Sequence, residues 1–185
     1  MSGRWLPNAI SIARIAMVAP VVWSILAGEH ETAFILIFVA ALSDALDGYL
    51  AKKFGWSTHA GALLDPLADK VFMAGSFVAA VWVGLIPLWV TVVVISRDVI
   101  IVAGALVYHW RVGEFRPQPS VLSKVNTFMQ MLLVLAVVAQ HYLKLPRGWL
   151  PALVAAVTIT TLTSGADYFI RWGRRMAHVT RRSTA

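Results

Sequence analysis

Four of the chain's nine acidic residues stand in two close pairs, Asp44 with Asp47 and Asp65 with Asp69. Residues three or four apart share one face of a helix, so each pair presents two carboxylates in the same direction. All four lie at the ends of long apolar runs. A carboxylate inside a membrane span costs about 3 kcal/mol on insertion scales, and a functional role is the working hypothesis for it. Four carboxylates brought together repel unless protons or cations neutralise them. Hard oxygen ligands select Mg²⁺, Mn²⁺ or Ca²⁺. The chain has no cysteine, which excludes a thiolate metal site and a disulfide framework. A divalent metal held by carboxylates at a membrane surface suits phosphoryl transfer. The bland alternative is a set of structural aspartates paired with Lys52, Lys53 and Lys70. Lys70 follows Asp69 directly, however, and helix neighbours do not face each other. The two remaining lysines cannot neutralise four carboxylates.

The elements that position these residues are apolar helices. Of the 185 residues 59% are hydrophobic and 14% charged, too little charge to coat a soluble domain of this size. A membrane-spanning helix needs about 20 mostly apolar residues. Six runs qualify: 8–27, 31–53, 61–83, 87–108, 122–143 and 149–172. The segment 3–10, with Arg4, Trp5 and Pro7, reads as a short interfacial helix ahead of them. Arg14 lies inside the first run, which argues against a cleaved signal segment. The expected fold is therefore all-α, a single membrane domain over 1–185 with about six transmembrane helices in one bundle. The short link 54–60 is expected to fold the third helix back on the second, so that the two carboxylate pairs face each other.

Basic residues orient the bundle. Arg4, Lys52, Lys53, Arg111, Arg116, Lys124, Arg171, Arg174, Arg175, Arg181 and Arg182 fall on one side, against Lys144 and Arg147 on the other. The positive-inside rule then puts both termini and the aspartates at the cytosolic face. The net charge of +7 is explained by this flanking pattern. No basic stripe interleaved with aromatics suggests nucleic acid. A cation channel or transporter would want acidic groups along a path through the bilayer. Here the acidic cluster lies toward one face only. A binding or assembly protein with a decayed site would tolerate loss of motif positions, yet all four aspartates are present.

Read as one segment, Asp44-Ala45-Leu46-Asp47-Gly48-Tyr49-Leu50-Ala51-Lys52, eight residues, and Gly61-Ala62-Leu63-Leu64-Asp65-Pro66-Leu67-Ala68-Asp69 resembles the signature of the CDP-alcohol phosphatidyltransferase family. That signature is D-x-x-D-G-x-x-A-R-x₈-G-x₃-D-x₃-D. Every spacing matches, and one residue departs: Lys52 stands where the family has arginine. Lysine keeps the charge and loses the two-pronged fork. Pro7-Asn8, Arg14-Ile15 and Pro20 look like the first helix of the phosphatidylglycerol-type synthases. Ser96-Arg97-Asp98 and Ser123-Lys124-Val125-Asn126-Thr127 look most like the CMP-forming cardiolipin synthases.

The resemblance implies a six-helix membrane enzyme, usually a homodimer, in a bacterial-type inner membrane with its site open to the cytosolic leaflet. It implies transfer of a phosphatidyl group from CDP-diacylglycerol to phosphatidylglycerol, giving cardiolipin and CMP. Glycerol 3-phosphate is the alternative acceptor, giving phosphatidylglycerophosphate. It implies two Mg²⁺ or Mn²⁺ ions on Asp44, Asp47, Asp65 and Asp69, with Asp69 also taking the proton of the acceptor hydroxyl. The donor's nucleotide and phosphates would meet Asp47, Gly48, Ala51, Lys52 and Gly61, whose small members keep the groove open. For the acceptor's phosphate the cationic candidates are Arg97, Lys124 and Arg116. Arg97 and Asp98 read equally as an internal ion pair, and Lys124 as an interfacial anchor. Asp167 is expected to pair with Arg171, four residues on.

Overall fold

The structure, a computed structural model, describes the backbone of residues 6–54, 61–112 and 120–183, and the side chains of 9–44, 46, 66–104, 120–146 and 148–171. Six helices account for nearly all of it: α1 Leu6–Leu26, α2 His30–Phe54, α3 Gly61–Trp82, α4 Leu88–Val112, α5 Val121–Leu143 and α6 Leu150–Ser183. A 3₁₀ turn at Arg147–Trp149 leads into α6. The all-helical expectation holds, with helix bounds within a few residues of the apolar runs at most ends.

Two ends differ. The expected interfacial helix over 3–10 is not a separate element where it is described, because from Leu6 onward the chain already belongs to α1. Pro7 is tolerated there because a first-turn residue has no intrahelical N–H partner to lose. At the other end α6 continues well past Trp172, reaching Ser183. At 1.5 Å per residue it is about 50 Å long, more than a bilayer core requires.

Three turns on one side of the bundle close with the same device. Gly28 and Gly84 both have φ 74°, and Lys144 has φ 52°, each just past a helix end. The left-handed residue lets the next N–H reach back to a carbonyl of the last turn. Leu85 N–H donates to the Ala80 carbonyl at 2.8 Å, and Leu145 N–H to the Gln140 carbonyl at 3.0 Å. Trp23, Trp82, Trp89 and Trp149 are exposed around these same turns, as membrane-interface tryptophans are.

By length and composition three described helical stretches can cross a membrane: Ala9–Leu26, Val121–Leu143 and Leu150–Arg171. The others carry ionisable residues among those described, Asp44 in α2, Asp69 and Lys70 in α3, and Arg97 and Asp98 in α4, which lowers their apolar character. Large apolar side chains nevertheless face outward on all six helices, among them Phe38, Leu42, Val78, Val99, Phe128 and Leu162. Such a surface marks an integral membrane protein.

α1 packs most extensively on α3 and next on α2; α5 packs on α6 and α2, and α4 on α6. Among the described residues α1 therefore packs on both α2 and α3. The reason is steric and apolar. Gly75 of α3 lets α1 come close, since a Cβ at that position would meet Val18 Cγ1 at 2.8 Å. Val21, Ile25, Phe72 and Phe77 are buried in the core. α1 and α3 run in the same direction, so Arg14, one turn before Val18, comes level with the first turns of α3.

Candidate active site

Asp44, in the second half of α2, and Asp69, in α3, both turn toward α1. There one guanidinium meets them. Arg14 Nη2 lies 2.7 Å from Asp44 Oδ1, and Arg14 Nη1 donates to Asp69 Oδ1. The partners are 30 and 55 residues away from Arg14 in sequence. The arginine side chain is 3% exposed, while those of Asp44 and Asp69 are 41% and 33% exposed. The cation thus sits on the inner side of the pair, and each carboxylate keeps an open flank.

Asp47 and Asp65 have their backbones in α2 and α3 respectively, one turn from Asp44 and Asp69. Their side chains lie outside the described residues, as do those of Lys52 and Ala51. Gly48 and Gly61 fall in the same helices. Arg116 lies outside the described residues altogether. Pro66 is inside α3, where it cannot donate to the carbonyl four residues earlier, at Ala62.

The structural alternative for the aspartates is met in an unexpected form. Asp44 and Asp69 are paired, but with Arg14. Lys70 is drawn away to α4, with its Nζ 2.5 Å from Asp98 Oδ1. The same carboxylate oxygen accepts from Arg97 Nη1 at 2.8 Å. Arg97 is buried, and its Nη2 donates to Ser123 Oγ at 2.9 Å and also to Ser164 Oγ. Arg97 therefore ties α4 to α5 and α6, and Gly165 of α6 leaves room for its stem, a Cβ there standing 3.7 Å from Arg97 Cγ. Of its two readings, the geometry displays the internal ion pair.

Lys124 is exposed in the first turn of α5, whereas Asn126 is fully buried and accepts from Thr161 at 2.8 Å and Thr160 at 3.2 Å. The two, grouped in the sequence motif, thus have different tasks. Arg171 Nε donates to Asp167 Oδ1 at 2.8 Å, the expected pair four residues apart.

Arg14 is the site residue that sequence reasoning missed. The signal was present, because an arginine inside an apolar run is as costly as an aspartate there. In the sequence it serves as an argument against a signal segment and as part of the first-helix likeness, with no task at the site.

Asp44 and Asp69 offer hard anionic oxygens from two helices at one place, with open flanks. That donor set fits a divalent cation such as Mg²⁺ or Mn²⁺. Among the described side chains no three acidic or histidine groups form a closed cluster; Asp47 and Asp65 would have to complete one.

Residues 4–162 match the family CDP-alcohol phosphatidyltransferase. The chain belongs to that family. Compared with single CDP-alcohol phosphatidyltransferases, it is 30% identical over 191 aligned positions to the CMP-forming cardiolipin synthase of Rattus norvegicus, covering 94% of this chain and 63% of that protein. It is 34% identical over 134 positions to the CMP-forming cardiolipin synthase of Streptomyces coelicolor, covering 68% of this chain and 61% of the relative. With the CDP-diacylglycerol–glycerol-3-phosphate 3-phosphatidyltransferase of Bacillus subtilis it shares 33% identity over 182 positions, covering 89% and 93%. The chain spans 63% of the length of both the rat and the human cardiolipin synthases it matches. The two named activities are thus about equally similar to it.

Proposed function

We propose that this CDP-alcohol phosphatidyltransferase moves a phosphatidyl group from CDP-diacylglycerol to the free hydroxyl of phosphatidylglycerol, giving cardiolipin and CMP. The observation that carries the reading is the meeting of Asp44 and Asp69, the first and last positions of the family signature, at one point from two helices. A donor with a polar nucleotide and two acyl chains needs a site at the end of apolar helices, and the aspartates lie there. We place all six helices across the bilayer, with site and termini at the cytosolic face, in a homodimer.

Asp44, Asp47, Asp65 and Asp69 would hold Mg²⁺ or Mn²⁺. When bound, the metal supplies Lewis-acid neutralisation of the charge on the pyrophosphate and on departing CMP. The chain's own residues do the rest. Gly48, Ala51 and Gly61 leave space for the nucleotide, and Lys52 offers a point charge to a donor phosphate. The acceptor oxygen attacks the phosphorus that carries diacylglycerol, the bond from that phosphorus to the CMP oxygen breaks, and Asp69 takes the hydroxyl proton. A positioned base of this kind contributes about 10²–10⁴ in rate. Lys124, exposed at the start of α5, is the cation available for the acceptor's phosphate, since both Nη atoms of Arg97 are engaged internally.

The second reading, glycerol 3-phosphate as acceptor, is favoured by the alignment along 93% of the Bacillus subtilis protein. Purified full chain in detergent, given labelled CDP-diacylglycerol and each acceptor in turn, separates the two. Labelled cardiolipin formed with phosphatidylglycerol is the expected result. Labelled phosphatidylglycerophosphate, with no cardiolipin, selects the second reading. No product with either acceptor overturns both.

A further inference from the structure

Arg14 stands where the two carboxylate helices meet, and the mechanism above assigns it no task. It is buried in apolar α1, and it reaches one oxygen each of Asp44 and Asp69 from the inner side. A guanidinium is a delocalised cation with a rigid fork of N–H donors and no acceptor. Its two partners come from helices that pack on α1. The guanidinium thus links α1 to both α2 and α3.

We infer that Arg14 is a built-in counter-cation of the carboxylate site, a positioning residue that draws Asp44 and Asp69 together without metal and competes with divalent metal for them. The inference rests on the metal-dependent reading proposed above. Two effects of opposite sign follow. Without metal, removing the guanidinium takes away the positive charge that stands between the two aspartates, and their mutual repulsion rises. With metal, removing it takes a like charge away from the bound cation. Two positive charges about 5 Å apart at a near-surface dielectric repel strongly enough to weaken metal binding by about tenfold or more. A plain structural cross-link would produce the first effect alone.

The test uses the full chain in detergent micelles, with unfolding followed by the fluorescence of its eight tryptophans. Protein stripped with chelator is titrated with MnCl₂, and the Mn²⁺ concentration giving half of the maximal thermal stabilisation is read for each variant. Arg14→Gln should melt below wild type in chelator, and the gap should close at saturating Mn²⁺. Its half-maximal Mn²⁺ concentration should fall by about tenfold or more. A gap that is the same with and without Mn²⁺, at an unmoved midpoint, would reduce Arg14 to a cross-link and overturn the inference. A higher midpoint would overturn it too, since Arg14 would then build the metal site.

Arg14→Lys keeps the charge and loses the fork. It should melt lower in chelator while its midpoint stays within about threefold of wild type. If the glutamine variant folds under neither condition, the lysine variant decides. A tenfold displacement of its midpoint in either direction rejects the counter-cation role. Wild type that Mn²⁺ fails to stabilise would bring down the metal reading, and this inference with it. Wild type stabilised by Mn²⁺ beside a glutamine variant with an unmoved midpoint defeats the role of Arg14 alone.

Discussion

Two buried arginines organise the two halves of this bundle, and their surroundings differ in sign. Arg14 joins α1 to α2 and α3 and faces two carboxylates, Asp44 and Asp69. Among the described ion pairs of Arg14, one positive charge stands against two negative, with Asp47 and Asp65 a turn away in sequence. Arg97 joins α4 to α5 and α6, sharing Asp98 with Lys70 and filling its other bonds with Ser123 and Ser164. There two positive charges meet one negative, and two neutral hydroxyls accept from Arg97 Nη2. The carboxylates of the first cluster are 41% and 33% exposed. In the second, Asp98 is only 14% exposed. Similar ingredients, a buried arginine and its aspartates, tie helices together in one half and stand, in the other, at the site proposed for the reaction.

The sharpest way to break this contrast is chelation. Exhaustive removal of divalent metal should abolish transferase activity, and Mg²⁺ or Mn²⁺ should restore it. Full turnover after chelation, measured as labelled CMP release, would mean that the carboxylates of the Arg14 cluster do not call for metal.

Next in size is Asp69→Asn. Asparagine keeps the shape and an oxygen but cannot take the acceptor's proton, so turnover should fall by about 10²–10⁴. CDP-diacylglycerol binding at saturating metal should be largely kept. Asp44→Asn should instead weaken metal and donor binding first. Normal turnover by Asp69→Asn would move the general base elsewhere.

For the Arg97 cluster the expected loss is in folding. Arg97→Met takes one of two cations from Asp98 and leaves Ser123 and Ser164 without their donor. Lys70 still covers the carboxylate. The cost should therefore lie near the low end for a broken buried pair, about 3 kcal/mol. Mn²⁺ should not recover it. A melting temperature restored by Mn²⁺ would erase the distinction between the two halves.

Smaller effects concern the phosphate contacts. Lys52→Ala should raise the apparent KM for CDP-diacylglycerol by about tenfold, as loss of a charge-assisted bond does, while Lys52→Arg restores the family residue and should be tolerated. Lys124→Gln should raise the KM for the acceptor by no more than about fivefold, because an exposed cation contributes about 1 kcal/mol or less. Equal shifts for donor and acceptor would make Lys124 an interfacial anchor.

The apolar runs of about 20 residues determined the helices, since length and hydropathy are local properties and each helix satisfies its own backbone bonds. The spacing within 44–69 determined that two carboxylate pairs each face one way, and it carried the family. The pairing of Asp167 with Arg171 was readable for the same reason, lying four residues apart on one helix. The order of helices in space was not readable in this way. That α1 packs so closely on α3 depends on how side chains such as Val18 and Val22 fit against Gly75 across two helices. The choice of partner for each charge followed from that order. Asp69 meets Arg14, 55 residues away, rather than Lys70 next to it, and Lys70 meets Asp98 instead. Periodicity fixes which face of a helix a charge occupies, but the burial of the whole bundle decides which other face it meets.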